Sequence, residues 1–320
     1  MQRPAEEHRK AQLSPEIYLG TWQVSSSDGF WTGQDVAESE KVISLAVRSG
    51  IRGFDTATGY GRGRAEQVLS KVLRRFSGIP FRVDTKIMPA TRNLSDIVKE
   101  NLDRLRPLKI DCLYLHWPSA SIDNFAMLRG MDALRTDGLV GKIGVCNISV
   151  EALSLLVSRG LRIDRYQMPM SLLWTRGLSE AKEFCRRNSI SLVAYSPTGM
   201  GLLSGRYRRP EDLNDRRAEL FCFREPCRKA YLELLDLVTE TAENNGVSNT
   251  SVALSWTRSR NPDIILLGAR NTRQLQENME NDLELSETEL ADLTEAASGL
   301  EKASRGICTN IFSYEVKGWT

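Results

Sequence analysis

Residues 82–117 read RVDTKIMPATRNLSDIVKENLDRLRPLKIDCLYLHW. An apolar run at Arg82–Lys86 gives way to apolar residues at helical spacing over Leu94–Arg104, and a second apolar run follows at Cys112–His116. Strand, helix, strand in that order is how a chain connects two parallel neighbours, which need a crossover between them. The same alternation extends outward in both directions. Further strands are predicted at Tyr18–Trp22, Ile51–Asp55, Lys142–Cys146, Tyr166–Pro169, Ser191–Tyr195 and Ile264–Gly268. Helices are predicted at Ser39–Ser49, Arg64–Arg75, Phe125–Arg135, Val150–Ser158, Leu178–Arg187, Arg228–Asn244 continuing to Val252–Arg258, and Thr272–Asn281, with a last one at Leu285–Ala297. Ser149 and Ser179 read as helix caps, and Gly50, Gly160 and Gly246 as helix stops. Eight such units without a compositional break predict an α/β fold, one (β/α)8 TIM barrel domain over residues 1–320, ahead of a doubly wound sheet. Two stretches break the alternation, 197–227 and 299–320, and loops of that length are expected to be functional lids or disordered.

Composition narrows the classes of activity. Of 320 residues, 41% are hydrophobic and 26% charged, with 43 Lys and Arg against 41 Asp and Glu, which is ordinary globular composition. The basic residues are dispersed, so no nucleic-acid partner is expected. Apolar runs are strand-sized, so no membrane span is expected. The first dozen residues are polar and charged, which predicts a cytoplasmic protein without signal or transit peptide. Six cysteines, at 112, 146, 185, 222, 227 and 308, include no C-x-x-C pair and read as reduced thiols. With His8 and His116 the only histidines, no metal site is proposed. The sequence carries no signature of an oligomeric state.

In a barrel of this kind the reactive groups stand at the C-terminal ends of strands. Asp55 closes the second strand, Lys86 the third and His116 the fourth, at intervals of 31 and 30 residues, and Tyr60 follows Asp55 by five. Taken singly, each has a plain structural reading as a loop, core or turn residue. Together they make a coherent set. A tyrosine hydroxyl titrates near 10 and becomes a better acid beside a cation. Lys86 is expected to lower the Tyr60 hydroxyl below that value, Asp55 to keep Lys86 charged, and His116 to hydrogen-bond a carbonyl oxygen. That combination fits carbonyl reduction.

With LGTWQ at 19–23, FDTA at 54–57, YGRGRAEQVLSKVL at 60–73, LHWP at 115–118, KIGVCN at 142–147, YQMPMSLL at 166–173, AYSPTGMGLLSGRY at 194–207 and GARNTRQLQEN at 268–278, the chain resembles the aldo-keto reductase superfamily from residue 17 to about 297. The resemblance implies hydride transfer from a nicotinamide cofactor, with Asp55, Tyr60, Lys86 and His116 as the catalytic tetrad and Tyr60 as proton donor. It implies that Thr21, Trp22 and Asp55 lie at the nicotinamide end, that Asn147 and Gln167 hold the carboxamide and that Tyr195 stacks on the ring. Ser196, Pro197, Gly199 and Gly201 are expected to wrap the pyrophosphate, and Gly268, Arg270, Gln274, Glu277 and Asn278 to meet the adenosine. Arg270 and Arg273, beside a helix start, favour NADPH through its 2′-phosphate. GYGRG at 59–63 is a turn rather than a dinucleotide loop, since Arg64 replaces the third glycine.

Trp22, Tyr60, His116 and Trp117 are expected in the substrate pocket, with Trp174 a further candidate and Phe30, Trp31, Phe221, Phe223, Phe312, Tyr314 and Trp319 in loops around it. Gly268, Cys146 and Gln274 stand where other branches carry Lys, Ser and Arg, and look more like the bacterial branch and the potassium-channel β subunits. Three activities follow from the resemblance. The first is an NADPH-dependent reductase of a small aldehyde or ketone. The alternatives are a nicotinamide-binding regulatory subunit and an NADP-dependent dehydrogenase or epimerase.

Overall fold

The computed structural model describes residues 15–25, 29–307 and 309. Eight strands, β1 (Glu16–Gly20), β2 (Gly53–Asp55), β3 (Arg82–Ile87), β4 (Ile110–Leu115), β5 (Val140–Cys146), β6 (Arg165–Pro169), β7 (Ser191–Tyr195) and β8 (Ile264–Leu267), pair in parallel and in chain order, and β8 closes on β1. Helices α1 (Val36–Arg48), α2 (Arg64–Leu73), α3 (Leu94–Leu105), α4 (Asn124–Thr136), α5 (Val150–Ser158), α6 (Leu178–Arg187), α7 (Cys227–Asn244), α8 (Asn249–Ser259) and α9 (Thr272–Met279) lie between and around the strands, and α10 (Glu287–Ala303) follows. The (β/α)8 barrel expected from the alternation is the observed architecture. Among the described residues, no helix is long and apolar enough to cross a membrane.

Strand periodicity sorts the side chains into two sets. Leu19, Phe54, Val83, Leu113, Ile143 and Leu192 belong to the large core between barrel and helices. Each such buried side chain contributes about 1.5–3 kcal/mol. Tyr18, Cys112, Tyr114, Cys146, Val193 and Leu266 form separate small clusters apart from that core. Gly53 and Gly144 make room for two of the rings. A Cβ at residue 53 would meet the Tyr18 ring, and one at 144 the Tyr114 ring.

Gly246, expected as a helix stop, takes a left-handed φ of 64° after α7, and Ser248 caps α8, which begins at Asn249 rather than Val252. One capping expectation is corrected. Ser149 does cap α5, accepting from the Ala152 N–H, whereas α6 begins after left-handed Gly177 and Ser179 lies inside its first turn. The 197–227 stretch holds short 3-10 turns whose Leu202, Leu203, Leu220, Phe221 and Phe223 join a second apolar core with α7, α8 and α10.

Candidate active site

Backbone hydrogen bonds continue past the ends of the strands and fix the segments that carry the polar residues. The Thr56 N–H donates to Asp84 O at 2.9 Å, Thr58 N–H to Lys86 O at 3.0 Å, and His116 N–H to Ile87 O at 2.9 Å. Thr21 supplies both its N–H and its hydroxyl to Asp55 O, at 2.9 and 3.0 Å. The loop holding Tyr60 is braced from behind by Glu66, which is fully buried. Glu66 accepts from Thr85 at 2.6 Å, Asn101 at 2.7 Å and Arg104 at 2.5 Å, and Asn101 also donates to the Thr58 hydroxyl at 2.7 Å.

Asp55, Lys86, Tyr60 and His116 converge at one mouth. Lys86 is 1% exposed, and its ammonium has three acceptors for three hydrogens: Asp55 Oδ1 at 2.5 Å, Thr56 O at 2.9 Å and the Tyr60 hydroxyl at 3.3 Å. Asp55 Oδ2 accepts from Gln167 Nε2 at 3.0 Å. The imidazole of His116 meets the Tyr60 ring edge to face, centroids 5.9 Å apart, and Trp22 stacks on the other side of Tyr60 at 6.2 Å. Asn147 donates to His116 O at 2.8 Å and accepts from the Tyr195 hydroxyl at 2.7 Å. Asn147 and Ser196 both take left-handed φ, 59° and 52°, at the ends of β5 and β7. Such backbone is uncommon outside glycine and costs on the order of 1–3 kcal/mol where it occurs.

The electrostatics depart from the sequence-based expectation at one atom. Burial of Tyr60 outweighs the pull of Lys86, and with Asp55 pushing the same way as burial the hydroxyl is raised to about 12 rather than lowered. Burial pulls Lys86 down, yet Asp55 and Tyr60 more than offset it and the ammonium is held above its ordinary value. Burial and the Lys86 charge together hold His116 well below the usual histidine range, so its imidazole is neutral near pH 7. The set therefore offers a phenol with its proton in place, oriented by an ammonium that donates to its oxygen.

A single cleft runs from this mouth to the start of α9. Trp22, Asp55, Tyr60, His116, Trp117, Asn147, Gln167, Tyr195, Ser196, Pro197, Gly201, Gly268, Arg270, Gln274, Glu277 and Asn278 all line it, as the sequence leads one to expect. Others do not. Thr21 is buried beneath the mouth against Asp55, and Lys86 lies behind Tyr60. Gly199, left-handed at 61°, packs against Leu173 behind the wall. Arg273 points its guanidinium at Glu277, 2.7 Å away. Trp174 packs on Phe221 at 6.2 Å, and Phe30, Phe221, Cys222, Phe223 and Cys227 are buried in the second core. Phe312, Tyr314, Trp319 and Cys308 lie outside the described residues.

The cleft also has walls that the sequence reading missed, among them Gln23, Thr198, Met200, Ser204, Arg206, Tyr207 and Arg217. Arg217 is buried, paired with Asp215 at 2.8 Å, bonded to Met200 O at 3.1 Å and set 4.7 Å from the Trp31 ring centroid.

An extended dinucleotide suits this donor set. At the mouth, Gln167 spends one amide hydrogen on Asp55, and among the described residues no protein donor reaches its carbonyl oxygen, so it can receive a carboxamide N–H. Exposed Arg206 has no ion pair among the described residues and stands in the wall, five residues after Gly201 at the end of the segment expected to wrap a pyrophosphate.

The aldo/keto reductase family model matches residues 16–298. The chain belongs to the aldo/keto reductase family. Members bind a nicotinamide cofactor and act as oxidoreductases on small-molecule carbonyl substrates. This aldo/keto reductase is 26% identical over 286 residues to pyridoxal reductase, chloroplastic, of Arabidopsis thaliana, covering 82% of this chain and 77% of that protein. It is 26% identical over 314 residues to the NADH-specific methylglyoxal reductase of Escherichia coli strain K12, covering 89% and 95%. In fold it is similar to a glycerol dehydrogenase from Gluconobacter oxydans, with TM-score 0.74 at 24% identity and 94% of each chain covered.

Proposed function

We propose that this chain reduces an aldehyde or ketone to an alcohol, with Tyr60 as the proton donor and His116 as the second hydrogen-bonding group on the carbonyl oxygen. The observation that carries this reading is the saturation of Lys86. Its three hydrogens are spoken for, one of them by the Tyr60 oxygen, so the Tyr60 proton is left to point away from the lysine and toward the cleft. A neutral His116 donates one ring N–H to the same oxygen without placing a second cation beside Lys86. Asn147, Gln167 and Tyr195 would hold and orient a dihydronicotinamide ring at the mouth, which would supply the hydride, and Trp22 and Trp117 would enclose the carbonyl's substituents. Arg270, which lines the cleft, supports the NADPH preference expected from the sequence, whereas Arg273 is turned toward Glu277.

The test is oxidation of NADPH and of NADH against a panel of aldehydes and ketones, followed by the loss of reduced-nicotinamide absorbance. The names of the relatives make pyridoxal and methylglyoxal the first compounds to try. Tight nucleotide binding with no carbonyl reduced at any concentration would favour a regulatory, nicotinamide-sensing role instead.

A further inference from the structure

We propose that Glu38, on α1, sets the nucleotide preference of this cleft and makes it take NADH at least as well as NADPH. The inference rests on reading the cleft as a nicotinamide dinucleotide site with its adenosine end at the β8–α9 junction. Several groups there that would attract a 2′-phosphate already have protein partners, although Arg270 is paired with no carboxylate among the described residues. Arg270 donates through Nε to Gln34 Oε1 at 3.1 Å and through Nη2 to Thr32 O at 2.8 Å. Arg273 is paired with Glu277. At the helix start, the Gln274 N–H is capped by the Asn271 side chain at 2.9 Å.

The Thr272 N–H, at the very start of α9, donates to Glu38 Oε1 at 3.2 Å, with the Thr272 hydroxyl 3.4 Å from the same oxygen. Lys41 sits 3.1 Å from Oε2. The Thr272 N–H and Lys41 hold the Glu38 carboxyl below its ordinary value, so it is ionised near neutral pH. An anion thus already stands where the helix start would receive one.

A 2′-phosphate arriving beside Arg270 and Gln274 would meet the charge of a carboxylate bound to the neighbouring Thr272 N–H, while a 2′-hydroxyl would meet only an acceptor. The same logic lets an acidic side chain select NAD over NADP in other dinucleotide folds. Discrimination here is by repulsion, which needs no added contact to NADH.

The experiment is titration of the full chain with NADH and NADPH, reading dissociation constants from quenching of tryptophan fluorescence. It compares the wild type, Glu38→Gln and Glu40→Gln. Gln keeps an acceptor for the Thr272 N–H and removes only the charge, and a thermal melt checks that the variant is folded. Glu40 lies on the same helix but pairs with Lys71 and Arg75, so it controls for a general loss of negative charge. The wild type is expected to bind NADH as tightly as NADPH or tighter, and Glu38→Gln to shift the ratio toward NADPH by about tenfold while Glu40→Gln leaves it unchanged. Wild-type binding of NADPH more than about tenfold tighter, or an unchanged ratio in Glu38→Gln, overturns the role of Glu38 while leaving the dinucleotide site intact. Binding of neither nucleotide overturns the reading of the cleft itself, and this inference with it.

Discussion

Arg165 on β6 reaches across the barrel interior to Asp84 on β3, donating to both carboxylate oxygens at 2.6 and 2.5 Å. Its other terminal nitrogen reaches Asp111 at 2.8 Å and the Tyr18 hydroxyl at 3.4 Å. Both charges of the pair are almost wholly buried. Removing one member of such a pair strands the other in a medium of low dielectric. Arg165→Met is therefore expected to lower the free energy of unfolding by roughly 3–5 kcal/mol, read from chemical denaturation. An unchanged denaturation midpoint would mean that Asp84 does not depend on the guanidinium.

Tyr60→Phe deletes one hydroxyl and keeps the ring that packs against Trp22 and His116. Turnover is expected to fall by about a hundredfold or more, mainly in kcat, with the nucleotide dissociation constant unchanged. Parent-level turnover in the variant would remove Tyr60 from the reaction.

Lys86→Met takes away the donor that fixes the Tyr60 oxygen and the one cation that pulls its hydroxyl down. Severe loss of kcat is expected, with native circular dichroism retained. Because Asp55 keeps Lys86 protonated, borohydride added with a carbonyl substrate should leave no adduct on Lys86. Mass at that residue would mean an amine mechanism.

The two shifted groups at the mouth give a pH profile with a definite sign. Tyr60 acts in its protonated form and its folded value is raised to about 12, so the donor is lost only well into the alkaline range. His116 acts neutral and its value is depressed, so protonation sets in only below the ordinary histidine range. At saturating substrate and nucleotide, kcat for reduction should be flat between about pH 6 and 9. A descending limb near pH 7 would assign the titration to another group.

Glu66 and Asn101 touch no part of the cleft, yet they hold Thr58 and Thr85, which flank Tyr60 and Lys86 in sequence. They are expected to act as positioning residues. Asn101→Ala should lower kcat several-fold while leaving the nucleotide dissociation constant as it was, and Asn101→Asp, with one acceptor in place of a donor beside the Glu66 carboxylate, should not rescue it. If both variants lose nucleotide binding in step with activity, the network supports the fold alone.

The convergence of the candidate site residues was legible in the sequence for a geometric reason. In a closed parallel barrel, equal spacing in sequence becomes adjacency around one rim, so Asp55, Lys86 and His116 converge without any knowledge of loops. The Arg165–Asp84 pair was not legible, because β3 and β6 meet across the interior only once the sheet has closed. Arg206, Tyr207 and Arg217 escaped because residues 197–227 carry no period, and their places depend on which leucines turn inward. The surroundings of the β8–α9 junction were hidden for a related reason. Arg270 and Arg273 advertise an anion site in the sequence, and only the packing of α1 and the loop before it brings Glu38, Gln34 and Thr32 beside them.

The second core beneath residues 199–223 bears on the tempo of the protein. Leu202, Leu203, Leu220 and Phe221 are buried there, and Tyr231 ties the segment down by donating to Tyr207 O at 2.6 Å and lying 3.1 Å from Leu202 O. A ligand threaded under this wall leaves only when part of the wall lifts, and lifting it exposes leucines at about 1.5–3 kcal/mol each. If a dinucleotide is threaded there, its exchange is expected to follow how often the wall opens. A clock of that kind is set by apolar packing, so trimming a leucine that touches no reacting atom should quicken the cycle.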